Sequence, residues 1–380
     1  MRQFPASPIT ALIDESPDVN LSESIGPDLA VADILGPDSP DGPDGLADLA
    51  RVSLGYGTSA GHADLRALVA GRLGVPGEQV LLTSGAAGAL FLVALLHSDN
   101  EGDGEIVAGL PCYPPMLDVL RGLGAPVATV SGRFDDGYRI DLEAFRDRLS
   151  ARTRLVMVAS PQNPSGVPIT PREVDEILAA MARRCPGALL LVDETFREAT
   201  YGGAPPAASF AGRPEQVLTC GSLSKAYGAP GLRIGWLTVP GARLREQLRL
   251  AKFNSSICCG VLDEFLAARL LSRADELLAS RGELMARARA TVEHWIGDQG
   301  GRLQWLRPEA GAFCCVRLDP GRFGAGDVRR IHDRLARQRT AVAPGPWFGD
   351  SGHVMRLGLA YPPPGELEKG LEIIAAALRS

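Results

Sequence analysis

The chain has 380 residues, 45% of them hydrophobic, with a formal net charge of −6 and a pI near 5.5. That length can bury a large core and predicts two domains, while an acidic balance without a basic cluster argues against a nucleic-acid partner. The longest apolar run, Ala86 to Leu96, is too short to cross a bilayer, and Met-Arg-Gln-Phe-Pro at the start lacks an apolar signal core, so a cytoplasmic protein is expected.

The seven cysteines are odd in number and show no Cys-x-x-Cys spacing, which reads as reduced thiols. The histidines at 62, 97, 294, 332 and 353 form no metal pair at helical spacing.

In chain order, residues 1–50 read as irregular, with an acidic run of turn formers from Gly36 to Gly45 as a solvated connector. Tyr56 precedes an amphipathic helix that begins near Leu65. Gln79 to Gly88 reads as a strand, a tight turn at Gly85, Ala86 and Ala87, and a helix start. Such a turn aims backbone N–H groups at one spot, where the helix dipole favours an anion. Gly104 to Pro115 is a second strand, ending in the proline-framed Tyr113. Arg154 to Gly166 is a third, running into Asn163-Pro-x-Gly, and Ala188 to Arg197 a fourth, ending in Asp193. The next apolar run, Val217-Leu-Thr-Cys, enters the loop Ser222-Leu-Ser-Lys225, with Arg233 and Gly235 beyond. Three of the 39 basic residues are lysine, namely Lys225, Lys252 and Lys369. A lysine kept in this loop suggests chemistry that a permanently charged guanidinium cannot do, namely addition of a neutral amine to a carbonyl. Helices follow over Arg243–Ala251, Leu262–Leu271 and Ala274–Ile296, with a loop at Lys252–Gly260. Near the end, Arg356 stands among apolar neighbours in a short strand after His353. Strands alternating with helices imply a mainly parallel sheet, whose strand carboxyl ends share one rim.

Ser222-x-Ser-Lys225 with Arg233 resembles the cofactor-lysine segment of fold-type I pyridoxal-phosphate enzymes, in particular the class I/II aminotransferases. The Gly85 turn, Tyr113, Asn163-Pro-x-Gly166 and Asp193 stand in the order that family requires. The likeness runs from about residue 18 to the end. It implies an α/β fold with a mainly parallel seven-stranded sheet sandwiched by helices and a smaller α+β domain. The implied division is an N-terminal arm and the start of the small domain at 1–45, a large cofactor-binding domain at 46–270 and a C-terminal small domain at 271–380.

By the same resemblance, Lys225 forms the Schiff base with pyridoxal 5'-phosphate and Asp193 faces the pyridine nitrogen. Asn163 donates to the phenolic oxygen and Tyr113 stacks on the ring. Gly85, Ala86, Ala87, Ser222, Ser224 and Arg233 take the phosphate, and Tyr56 reaches the phosphate of a neighbouring subunit in a homodimer. Arg356, with Asn163 and Gly26, holds the substrate carboxylate. Asn20 to Pro27 is the N-terminal strand that crosses the mouth of the site. Lys252 is a charge near the site, not a second attachment point.

The implied reaction is transamination, moving the amino group of an α-amino acid to a keto acid. One position departs from the pattern. Most relatives carry tyrosine three residues after the aspartate, and here it is Phe196. Capreomycidine synthases of specialised metabolism share that phenylalanine, so elimination, cyclisation, decarboxylation or oxidation of an amino acid is the alternative. Asp14, Glu15 and Glu23 are candidates to read a basic substrate side chain. Keeping both Lys225 and Asp193 argues against a silent binding module.

Overall fold

The computed structural model describes residues 3–36, 45–98 and 104–379, without the side chains of residues 11 and 12. The strands are β1 (Val19–Asn20), β2 (Val80–Ser84), β3 (Glu105–Leu110), β4 (Val127–Ser131), β5 (Thr153–Ala159), β6 (Leu189–Asp193), β7 (Val217–Ser222), β8 (Ile234–Thr238), β9 (Leu303–Leu306), β10 (Phe313–Leu318), β11 (Thr340–Ala341), β12 (Ala343–Pro344) and β13 (Val354–Gly358). Seven of them form one sheet in the order β2-β8-β7-β6-β5-β3-β4. Only β8 runs against the rest.

The apolar runs in the sequence follow from burial on both faces. Leu155 and Met157 of β5 join one core with Leu191 and Leu218, against the helices Gly85–His97 and Pro114–Gly122. Val156 and Val158 point the other way, into a core with Leu190, Val192 and the helix Pro171–Arg184. Neighbouring residues thus serve opposite layers, as a pleated strand requires. The helix Pro171–Arg184 is specified locally. Thr170 Oγ1 accepts from the Glu173 amide at 3.2 Å, and the Glu173 carboxylate accepts from the Thr170 amide at 2.7 Å, a reciprocal cap followed by proline at the first turn.

A second, antiparallel sheet, β12-β13-β10-β9, is built from the C-terminal part. The 24-residue helix Ala274–Gly297 precedes it. The N-terminal segment joins this region through the parallel pair β1 and β11.

Two expectations are corrected. Lys252–Gly260 is not all loop, because the helix Ala242–Ser256 runs through its first half and breaks at Ile257, with φ 60°. Asn254 bonds Leu250 O and Ser255 bonds Lys252 O, so the polar side chains that suggested a loop are satisfied inside the helix. Asn20–Pro27 is strand only at Val19–Asn20; beyond that it is held by isolated backbone bonds. Most of the acidic connector expected at Gly36–Gly45 lies outside the described residues.

Candidate active site

The last residues of three adjacent parallel strands, Ala159, Asp193 and Ser222, open onto a cavity of about 650 Å³. Ala86, Ala87, Tyr113, Asn163, Ser224, Lys225 and Arg233 share its wall, so most of the predicted set converges from remote parts of the chain.

One end of the lining is built for an anion. Gly85 opens the helix Gly85–His97 with φ +65°, and a Cβ there would lie 2.4 Å from Arg233 Nη2. Gly235 allows the same approach from β8, since its Cβ would meet the Gly85 carbonyl carbon at 2.4 Å. The guanidinium of Arg233 is therefore seated at a helix N-terminus, where it also donates to Ser224 Oγ at 3.5 Å. Cation, hydroxyls and free helix amides all favour negative charge there.

Asp193 is buried, and burial pushes its carboxyl above the usual range. Thr195 opposes this by donating to Oδ1 from its amide at 2.9 Å and its hydroxyl at 2.5 Å, and the Cys220 thiol and Lys225 act in the same direction. A bound cationic ring nitrogen would add to that support. The Lys225 amine is lowered to about 8 by burial first; Glu23 and Asp193 oppose this while Arg356 and Arg233 add to it. It donates to Ser24 Oγ at 3.1 Å. The Tyr113 hydroxyl is pushed up by burial first, and it also feels Asp193, Arg233, Arg356 and Glu23.

Arg356 is only 1% exposed and lies just beyond the cavity lining. Nη1 donates to Asn163 Oδ1 at 2.8 Å and Nη2 to the Ser22 carbonyl, while Nε has no hydrogen-bond partner among the described residues. Phe313 and Phe348 flank the guanidinium at 5.5 and 4.9 Å. The Asn163 turn is closed by the Gly166 amide on Gln162 O at 2.7 Å, with Gly166 at φ +74°. Phe196 lines the cavity and meets Phe313 edge-on at 4.8 Å.

Besides Gly85 and Arg356, which adjoin the lining, two further predicted residues are not brought to this wall. Gly26 is absent from the lining; a Cβ there would strike Arg281 Nη2 at 2.7 Å. Tyr56 is 85% exposed and borders a separate cavity with Thr58, His62 and Glu264. Lys252 is buried elsewhere and donates to Ser59 O at 2.8 Å. Of the three acids proposed to read a basic side chain, Glu23 lines the cavity and Asp14 and Glu15 do not. Asp28, Ser24, Thr195 and Tyr361 were not anticipated. They are short or isolated polar residues in ordinary contexts, and only long-range packing gives them meaning.

The family model for aminotransferase class I and II matches residues 35–374. The chain belongs to that family. It is 35% identical over 336 residues to capreomycidine synthase of Streptomyces vinaceus, covering 88% of this chain and 83% of that one. It is 32% identical over 297 residues to the arginine–pyruvate transaminase AruH of Pseudomonas aeruginosa, covering 75% and 71%. Among solved structures, the PLP-dependent cyclase OrfR superposes with a TM-score of 0.82 at 27% identity, covering 100% of this chain and 98% of its own. The protein is thus a pyridoxal-phosphate-dependent enzyme of the aspartate-aminotransferase-like fold. The residues present fit that cofactor: an anion cradle for the phosphate, a depressed lysine for the aldehyde, and a buried carboxylate for the ring. Among the described residues no helix is long and apolar enough to cross a membrane.

Proposed function

We propose that this enzyme acts on an α-amino acid with a cationic side chain and passes its amino group to a keto acid. The observation that carries the substrate class is the pair Glu23 and Asp28 in the cavity wall. Neither is in a close ion pair among the described residues, although Arg281 and Lys225 act on Asp28 and Glu23 acts on Lys225 at longer range. Unmatched carboxylates in a substrate cavity favour a cation. Similarity to an arginine–pyruvate transaminase supports the same class.

Bound pyridoxal phosphate supplies an electron sink for the pair left at the substrate α-carbon. In this reading Lys225 carries the cofactor and, once displaced, moves the α-proton as a neutral amine. Asp193 supplies negative charge to the ring nitrogen, Asn163 donates to the phenolic oxygen and Tyr113 stacks. Gly85, Ala86, Ala87, Ser222, Ser224 and Arg233 hold the phosphate. Arg356, whose unpartnered Nε is a free donor, pairs with the α-carboxylate. The exposed apolar residues Leu54, Tyr56, Phe253, Ile257 and Leu262 support a homodimer in which Tyr56 serves the neighbouring site.

Phe196 favours a second reading, in which the carbon skeleton is altered instead. The hydroxyl that would tune the cofactor oxygen is missing, and a cyclase shares the fold. One experiment separates the two. Purified holoenzyme is mixed with L-arginine, L-ornithine, L-leucine or L-aspartate, with and without pyruvate, and the cofactor spectrum is followed. A spectral change with the basic amino acids that stops after one turnover and resumes with pyruvate supports transamination. Sustained turnover without pyruvate, with ammonia or peroxide, selects the second reading. A response to leucine or aspartate alone rejects the cationic substrate.

A further inference from the structure

The side chain that receives the Lys225 amine is Ser24. Lys225 Nζ donates to Ser24 Oγ at 3.1 Å across 201 positions of sequence. Ser24 is 4% exposed, and its neighbours Ser22 and Ile25 are as deeply buried.

The hydroxyl is held in place by a segment fixed at both ends. The Leu21 amide donates to Ala341 O at 2.9 Å and the Gly358 amide to Leu21 O at 2.7 Å, which ties the segment to the smaller sheet. On the other side the Leu29 amide donates to Gly228 O at 2.9 Å, three residues beyond the lysine. Arg281 Nη1 adds a bond to Pro27 O at 2.9 Å. The approach is close enough that a Cβ on Gly358 would lie 2.0 Å from the Glu23 carbonyl. The Ser22 carbonyl meanwhile accepts from Arg356. One short stretch thus touches both the reactive amine and the buried arginine.

We infer that Ser24 is a catalytic residue: its hydroxyl holds the unlinked Lys225 amine and aims it for transfer of the substrate α-proton. The inference rests on the reading of Lys225 given above. A neutral amine has two N–H bonds and one lone pair. Ser24 Oγ accepts one N–H and leaves the lone pair free. In the transfer the Cα–H bond breaks, its electron pair stays with the substrate, and a new N–H bond forms at Nζ. The resulting ammonium returns that proton later in the cycle. Ser24 also accepts more strongly from the ammonium than from the amine, so it stabilises the product of the transfer. A hydroxyl acceptor serves better than a carboxylate at this point, because an adjacent carboxylate would keep the lysine protonated.

The test compares Ser24→Ala and Ser24→Thr holoenzyme with the parent. Exchange of the α-proton of L-arginine in heavy water falls about tenfold in Ser24→Ala, with cofactor affinity and thermal midpoint unchanged, and Ser24→Thr restores it. A second readout needs no cofactor. Acylation of Lys225 in the apo-protein, followed by mass spectrometry across pH, shows its midpoint moved down in Ser24→Ala, since the ammonium loses an acceptor. Exchange within twofold of the parent, with the cofactor adduct on Lys225, overturns the role of Ser24 alone. An adduct on Lys252 or Lys369 overturns the assignment of Lys225, and Ser24 with it.

Discussion

The Glu23→Gln substitution tests the electrostatics of the site directly. Burial lowers the Lys225 amine from 10.5 to about 8. At pH 7 that leaves about one amine in ten neutral, against about one in three thousand at the ordinary value, a gain of about 300-fold in the form that attacks an aldehyde. Capture of pyridoxal phosphate by the apo-protein is therefore expected to quicken about tenfold per pH unit up to roughly 8 and then level off. Glu23 is the foremost charge holding the proton on Lys225, ahead of Asp193, while Arg356 and Arg233 push it off. Replacing its carboxylate by an amide of the same shape leaves the two arginines less opposed. The midpoint then moves below that of the parent, and each of the first few tenths of a unit raises capture at pH 7. Were the shift as large as one unit, the gain at pH 7 would be about fivefold. The same substitution removes an acceptor for a cationic substrate, a charge-assisted bond worth about 1.5–3 kcal/mol, so the KM for L-arginine rises at least tenfold. Stopped-flow absorbance of apo-protein mixed with the cofactor between pH 6.5 and 9.5 reads the first effect. A midpoint near 10 in the parent, or one that stays or rises in Glu23→Gln, refutes this account. The linkage to stability has a definite sign. Because the folded value lies below 10.5, the unfolded chain binds more protons between the two values, so the contribution of Lys225 to apo-protein stability is full above 10.5 and is lost as pH falls through about 8.

Thr195→Val removes the hydroxyl that donates to Asp193 and keeps the side-chain shape. Asp193 moves further up, activity falls about tenfold or more, and the acid limb of the pH–rate profile shifts to higher pH; an unshifted limb refutes the point. Gly85→Ala places a methyl against Arg233 at a residue with φ +65°. Left-handed backbone costs about 1–2 kcal/mol for alanine even before Arg233 yields, so cofactor affinity measured by absorbance titration drops at least tenfold, with the circular dichroism spectrum retained. Phe196→Tyr adds a hydroxyl to a side chain in the cavity wall. If that hydroxyl donates to the cofactor oxygen, the pH midpoint of the bound cofactor's absorbance falls, and an unchanged midpoint shows that the ring points elsewhere.

Much of this site is legible in the sequence because each strand announces its end. Leu190, Leu191 and Val192 are fully buried on a two-sided sheet, so an acid following them at 193 stands out. Lys225 stands out by the scarcity of its residue type. The rim, by contrast, is made by packing. Arg356 and Asn163 meet across 193 positions, and Ser24 reaches Lys225 from a segment whose close approach glycine at 358 permits. Thr195 gains its role from the turn after β6, where any small polar residue would look alike. The helix that continues to Ser256 was obscured by side chains that bond their own turn. Asp28 carries no signal beyond its charge, and its value comes from the cavity it borders.

The balance of charge ties these observations into one argument for the substrate. Four cations, Arg233, Lys225, Arg356 and Arg281, act on three acids, Asp193, Glu23 and Asp28. In the proposed reading cofactor binding would alter that balance, because Arg233 would meet its phosphate and Lys225 would lose its charge to the aldehyde. Asp193 would then be answered by the ring nitrogen, and Arg356 by the α-carboxylate of the entering amino acid. Glu23 and Asp28 remain. Burial already pushes the Asp28 carboxyl up, with Arg281 and Lys225 opposing, so losing the Lys225 charge makes its ionised form costlier still. A neutral or acidic side chain would leave Glu23 unanswered and Asp28 with Arg281 alone, at the mouth of a site whose other cations are engaged. A guanidinium or ammonium on the substrate restores the balance, which is why the basic amino acids are the ones to try first.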